Sequence, residues 1–160
     1  MSRSFVPVEY EVPDGLDTAR FVLRMLSVDI AERDYDAVMT SVEHIRGVFG
    51  PLDRWPSPDM TLDQNRADLA RHQADFLARR SFAYTVLTPD HNKCLGCVYI
   101  SPSPNRAYDA AAFMWVRASE KATGLDALLF SSVQRWLQEC WPFRKVAFPG
   151  RDIPWAKWFG

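Results

Sequence analysis

Three residues in segment 111–137, AAFMWVRASEKATGLDALLFSSVQRWL, bear on whether a helix N-terminus there can take an anion: Thr123, Gly124 and Asp126. The segment reads as a strand that runs into a helix through one short loop carrying a single glycine. Such a junction aims unpaired backbone N–H groups at whatever rests on the helix N-terminus. Thr123-Gly-Leu-Asp126 also has the form of a capping motif, in which the carboxylate satisfies the first N–H groups and sits favourably at the positive end of the helix dipole. The two readings compete. A carboxylate there occupies the place of a bound phosphate, and two negative charges about 4 Å apart cost on the order of a few kcal/mol near a protein surface.

Cys94 and Cys97 form a CxxC, with His91 three residues upstream. On a regular strand, side chains at i and i+3 point to opposite faces, so these thiols are not expected to share a metal. A tetrahedral site would need further ligands, and only Cys140, His44 and His72 remain. Neither a metal site nor a disulfide framework is expected from three cysteines.

The chain has 160 residues, 48% of them hydrophobic, which suits one domain with a sizeable core. Its net charge of −1, with Lys and Arg scattered, provides no field to hold a phosphate backbone, so nucleic acid is not an expected partner. No apolar run approaches the roughly 18 residues that a spanning helix needs, and no membrane partner is expected. The start MSRSFVPVEYEV lacks the apolar core of a signal peptide, and a cytoplasmic location is expected.

The elements that must position these residues follow from periodicity. Val6, Val8, Tyr10 and Val12 alternate as in a short strand, and Asp14-Gly15 signals a turn into a second strand over 19–26. Ser27 or Asp29 can cap a helix carrying Tyr35, Val38, Met39, Val42 and Ile45 at helical spacing, ending near 47–51. Thr61 and Gln64 form a capping box for a helix to about residue 80, with Leu62, Leu69, Phe76 and Leu77 inward. Strands from Phe82, Cys94 and Ala107 read as an antiparallel meander. The helix from Leu125 turns Leu128, Leu129, Val133, Trp136, Leu137 and Cys140 to the core, and residues 144–148 form a last, buried strand.

This order, strand, two helices, three strands, helix, strand, resembles that of the GCN5-related N-acetyltransferase (GNAT) superfamily. Three stretches carry the resemblance. RFVLRML is similar to the first strand of ribosomal-protein and antibiotic N-acetyltransferases, and CLGCVYI has the glycine common in their third strand. WVRASEKATGLDALL keeps the family spacing between a Trp-Val pair and the CoA-binding signature of Arg or Gln, two residues, Gly, one residue, then Gly or Ala. Lys121 stands for the Arg or Gln, Gly124 matches, and Asp126 replaces the small residue. The resemblance covers roughly 19–148 of a single 1–160 domain, leaving 1–18 as an N-terminal extension and 149–160 as a short aromatic tail. It implies an α/β (α+β) fold with a mostly antiparallel mixed central sheet flanked by helices.

The resemblance further implies an acyl-CoA-dependent N-acyltransferase using acetyl-CoA, in which a small-molecule or peptide amine attacks the thioester directly. The backbone at Met114, Trp115, Val116 and Arg117 would hold the pantetheine and thioester carbonyl, and Lys121, Thr123, Gly124, Leu125 and Asp126 would meet the pyrophosphate. Lys121 and the Arg117 side chain would offset the charge of Asp126. Asp109 and Tyr99 are the candidate base and acid, because PGRDIPWAKWFG has no tyrosine where the family places its thiolate-protonating one. The 50–60 loop, with Asp53, Arg54 and Trp55, and His44 on the preceding helix would face the acceptor. A non-catalytic binding or assembly module of the same fold is the alternative. Trp155, Trp158 and Phe159 either fold back on their own sheet or pack against a second copy, and a homodimer is the preferred expectation.

Overall fold

A computed structural model describes residues 4–159; residues 1–3 and 160, at the ends of the single-domain span, lie outside the described residues. The core is a six-stranded sheet in the order β1 (Gly15–Asp17), β2 (Val22–Met25), β3 (Phe82–Leu87), β4 (Cys94–Pro102), β5 (Ala110–Val116), β6 (Val146–Ala147). Neighbours are antiparallel except β5 and β6, which run parallel. Three helices lie between β2 and β3, namely α1 (Ala31–Met39), α2 (Val42–Ile45) and α3 (Leu62–Leu77), while α4 (Leu125–Cys140) links β5 to β6 and α5 (Trp155–Trp158) follows. The sheet is therefore mixed and mostly antiparallel, as the resemblance implied.

Each face of the sheet has its own core. On one, Leu125, Leu129, Val133, Trp136 and Leu137 of α4 pack on Leu23, Tyr84, Val98 and Met114. Full burial of such side chains is worth roughly 2 kcal/mol each. On the other, Ala31, Ala37 and Val38 of α1, Ile45 of α2 and Leu69 of α3 pack on Val22, Ala83, Cys97 and Trp115.

Several sequence expectations are corrected. The stretch from Val6 to Val12 is not a strand: its carbonyls at Pro7 and Tyr10 are taken by Arg79, and the Tyr10 hydroxyl donates to the Cys140 carbonyl at 2.7 Å. Gly15 is not a turn residue but lies in β1, where a Cβ would come within 1.8 Å of the Leu23 carbonyl oxygen; the turn is made at Thr18–Phe21. The first helix breaks at Thr40-Ser41, where the Ser41 hydroxyl accepts the Ala118 N–H at 2.8 Å and so ties α2 to the loop after β5. Leu77, Leu128 and Cys140 are exposed, at the edges of their helical stripes.

The expectation about the two thiols also fails in its geometry. Val86 pairs with Gly96 and Leu87 with Cys94, so β4 carries one extra residue and its side-chain alternation shifts. Cys94 and Cys97 consequently share a face, both buried in the core beneath α1. Among the described residues no cluster of three or more His, Cys, Asp or Glu is placed to hold a metal.

β5 and β6 pair only at Ala110–Val146 and Ala111–Ala147, after which they splay. The tail covers this end of the sheet from its own chain. Trp158 packs with Ala111, Ala147 and Tyr108, and Trp155 stacks on Phe113 with ring centroids 6.4 Å apart. Trp155 and Trp158 thus fold back on their own sheet, whereas Phe159 stays exposed.

Candidate functional site

The splay opens a cleft of about 460 Å³ whose walls are β5, the α2 C-terminus, the N-terminus of α4 and the segment after β6. Gly124 caps α4 with φ +81°, a conformation that costs a residue with a Cβ roughly 1–2 kcal/mol. A Cβ there would meet nothing within 4 Å, so the glycine serves the backbone turn into α4, whose second residue, Asp126, lines the cleft. Gly96 serves a close approach instead. A Cβ on it would lie 2.0 Å from the Trp115 carbonyl oxygen, so only glycine lets β4 hold β5 at this distance.

Asp126 does not act as the cap that its spacing suggested. Its carboxylate accepts two hydrogen bonds from the Arg151 guanidinium, Nη1 to Oδ2 and Nη2 to Oδ1, each 2.9 Å. Arg151 Nη2 also donates to the Met114 carbonyl at 3.1 Å. One side chain thus bridges the α4 N-terminus and the free edge of β5. Thr123 turns its hydroxyl to Glu120 and receives the Leu125 N–H at 3.3 Å. The cleft as a whole is cationic, with Arg46, Lys121 and Arg151 facing the single carboxylate of Asp126. The arrangement can attract an anion at its mouth, and Arg151 already holds the Met114 carbonyl at the open edge of β5.

A second cavity, about 270 Å³, lies on the other side of β5 between α1, α3, the end of β4 and the 49–55 loop. Its lining includes Asp34, Asp53, Trp55, Asn65, His72 and Tyr99. Asp34 is only 3% exposed, and burial together with nearby Asp68 pushes its carboxyl up to about 6 against the pull of the Asn65 hydrogen bond, 2.8 Å long. Burial, aided by Arg71, lowers the pKa of His72, so its ring is neutral at pH 7. Tyr99 accepts the Trp115 indole N–H at 3.0 Å, and burial, with the Cys97 sulfur beside its hydroxyl, keeps its own proton on. Aromatic rings line the boundary between the two cavities: Phe49 packs on Tyr99 at 4.9 Å and on Phe113 at 5.5 Å, and Trp115 meets Trp55 at 6.2 Å.

The structure brings Met114, Trp115, Val116, Lys121 and Asp126 together in the first cleft; Thr123 and Gly124 precede α4 without lining the cleft, and Leu125 is buried in the core beneath α4. Asp53, Trp55 and Tyr99 meet in the second. His44 lines the first cleft and not the second cavity, because α2 turns away after the break at Ser41. Arg54 is exposed and lines neither. Arg117 points out of the cleft: it is 6% exposed and donates to Asp36 at 2.8 Å, Thr40 at 3.2 Å and the Cys94 carbonyl at 3.0 Å, so it cannot offset Asp126. Asp109 is a turn residue at the paired end of β5, where its Oδ2 accepts the N–H groups of Arg144 and Lys145.

Arg151, Asp34, Asn65 and His72 were missed. For Asn65 and His72 a signal existed, since they continue the Leu62, Leu69, Phe76 stripe of α3 and are polar residues on an inward face.

No protein-family model matches the sequence, and a search of curated proteins returns no match. Solved structures do match. A GNAT-family acetyltransferase of Bordetella pertussis is 18% identical with a TM-score of 0.60, over 79% of this chain and 73% of the other. The ribosomal-protein-S5-alanine acetyltransferase of Vibrio fischeri is 12% identical with a TM-score of 0.59, over 79% and 67%. The microcin C7 self-immunity acetyltransferase MccE, solved with acetyl-CoA and AMP, is 15% identical with a TM-score of 0.61, over 80% and 67%. Splayed parallel strands, a glycine-capped helix at their mouth and these neighbours agree: the chain has the fold of the GNAT acetyltransferases.

Proposed function

We propose that the protein is an acyl-CoA-dependent N-acyltransferase, acetyl-CoA lying in the first cleft and an amine entering from the second cavity. The observation that carries this reading is the splay of β5 and β6 beside the N-terminus of α4, within a cationic cleft. The pyrophosphate would meet the first N–H groups of α4, Lys121 and Arg151, and the pantetheine would pair with β5 at Met114 and Val116. Backbone donors aimed at the thioester oxygen are worth about 3 kcal/mol each to the transition state. Neutral His72 is suited to accept the amine proton and Tyr99 to donate one, both lining the acceptor side. MccE, a structural neighbour, is a structure with acetyl-CoA bound, which supports the choice of cofactor.

A non-catalytic module of the same fold is the second reading, favoured by one contact: Arg151 already occupies the Met114 carbonyl that pantetheine would use. Thermal shift and calorimetry with acetyl-CoA and CoA separate the two. Binding at micromolar concentration with a raised melting temperature supports the transferase; no binding below millimolar leaves the module.

A further inference from the structure

We propose that the cavity between α1, α3 and the 49–55 loop recognises a primary ammonium group on an apolar stem, with the Asp34 carboxylate as counter-ion and the rings of Trp55, Phe49 and Tyr99 as walls.

Asp34 is where the observations converge. Its carboxylate is buried, and the one hydrogen bond it receives from the described residues comes from a neutral amide, Asn65 Nδ2, to Oδ2. No ion pair with Asp34 exists among the described residues. The neighbouring acids are already answered: Asp68 by Arg71 at 3.1 Å, and Asp53 Oδ1 by the Trp55 N–H at 2.9 Å. An ionised carboxylate out of water without a cation is an expensive arrangement, and removing it from the fold would be easy by mutation to Asn. Even with its pKa raised, the group is mostly ionised at pH 7. A cation arriving in the cavity would complete the pair.

The walls narrow the kind of cation. The rings of Phe49, Trp55, Tyr99 and His72 pack together at 4.9 to 5.6 Å and surround the space with π faces and edges, which favour an alkylammonium. A metal ion finds too few ligands, since among the described residues no group of three His, Cys, Asp or Glu is placed to bind one. An anion would face Asp34 and Asp53 together, since the one Arg of the lining, Arg71, is paired with Asp68, and a neutral ligand would leave the buried charge unpaired. That this ammonium is the acyl acceptor rests on the transferase reading above; that the cavity binds it does not.

The experiment is calorimetry on the full chain without any acyl-CoA, using n-pentylammonium, with 1-pentanol and hexanoate as neutral and anionic controls. Pentylammonium is expected to bind at least about tenfold more tightly than pentanol, and hexanoate not at all. Asp34→Asn is expected to weaken pentylammonium about tenfold or more while leaving the melting temperature unchanged or higher. Trp55→Ala, in the loop wall, serves as a second variant and is expected to weaken it several-fold. Equal binding of pentylammonium and pentanol, no binding of pentylammonium at all, or an Asp34→Asn variant with undiminished affinity overturns the inference. Acetyl-CoA titrated into the same preparation keeps the two readings apart. Amine binding without acetyl-CoA binding sinks the transferase reading alone, and the reverse sinks this one alone.

Discussion

Asp126→Asn and Arg151→Ala should move CoA affinity in opposite directions. In the free protein the Asp126 carboxylate holds the Arg151 guanidinium through two 2.9 Å hydrogen bonds, with the two side chains 46% and 24% exposed. A half-exposed bidentate pair of this kind is worth up to about 1 kcal/mol. A phosphate bound at the α4 N-terminus would stand about 5 Å from Asp126, a repulsion of about 0.8 kcal/mol at the dielectric of water and about 3 kcal/mol at an effective value of 20. Because the cleft is open to solvent, the lower part of that range applies. Asp126→Asn removes the repulsion and frees Arg151 for the phosphate, so CoA should bind about 5- to 10-fold more tightly. Arg151→Ala removes a cation and leaves Asp126 bare, so binding should weaken by a similar factor. Both effects should shrink at roughly 0.5 M salt, where the screening length falls well below 10 Å. Isothermal titration with CoA, alongside denaturant melts of each variant, measures this. Tighter binding by both variants would show that Arg151 plugs the groove; no change in either would remove the α4 N-terminus from the anion site.

The other expectations concern the frame and its buried acid. Asp34 has its pKa raised from 3.8 to about 6, so its contribution to stability is fully present below pH 3.8 and is lost as pH rises through about 6, a loss of about 3 kcal/mol; Asp34→Asn should flatten that part of the stability-against-pH curve measured by urea unfolding. Gly124→Ala should cost about 1–2 kcal/mol by the same method, with no steric component, because nothing lies within 4 Å of the added Cβ. Gly96→Ala should cost about 3 kcal/mol or more, or prevent folding, since the new Cβ meets the Trp115 carbonyl at 2.0 Å; an unchanged melting temperature would refute the close-approach account.

What the sequence disclosed was local, and what it concealed depended on partners distant in the chain. The Thr61–Gln64 capping box is present as spelled, because its two hydrogen bonds close within one helical turn. The strand-to-helix junction at Gly124 was readable for the same reason. Asp126 was misread as a cap because its partner, Arg151, lies 25 residues later in an irregular segment that no periodicity marks. Arg117 looked free for the cleft, yet its direction is set by Asp36 on α1, 81 residues earlier. Asp34 resembles any acid in a helix until α3 covers it. The extra residue in β4 is invisible in the sequence, since a bulge exists only relative to the strand it is paired with.

That extra residue gives the protein an internal clock. With both thiols of the CxxC turned to the same core and their pKa values raised by burial, neither Cys94 nor Cys97 presents a thiolate to reagent, whereas Cys140 stands in solvent. An alkylating agent should therefore modify one thiol at once and two only as fast as β4 comes away from α1. The slow pair counts openings of the sheet beneath the second cavity, and any ligand that holds α1 in place should lengthen the interval between them.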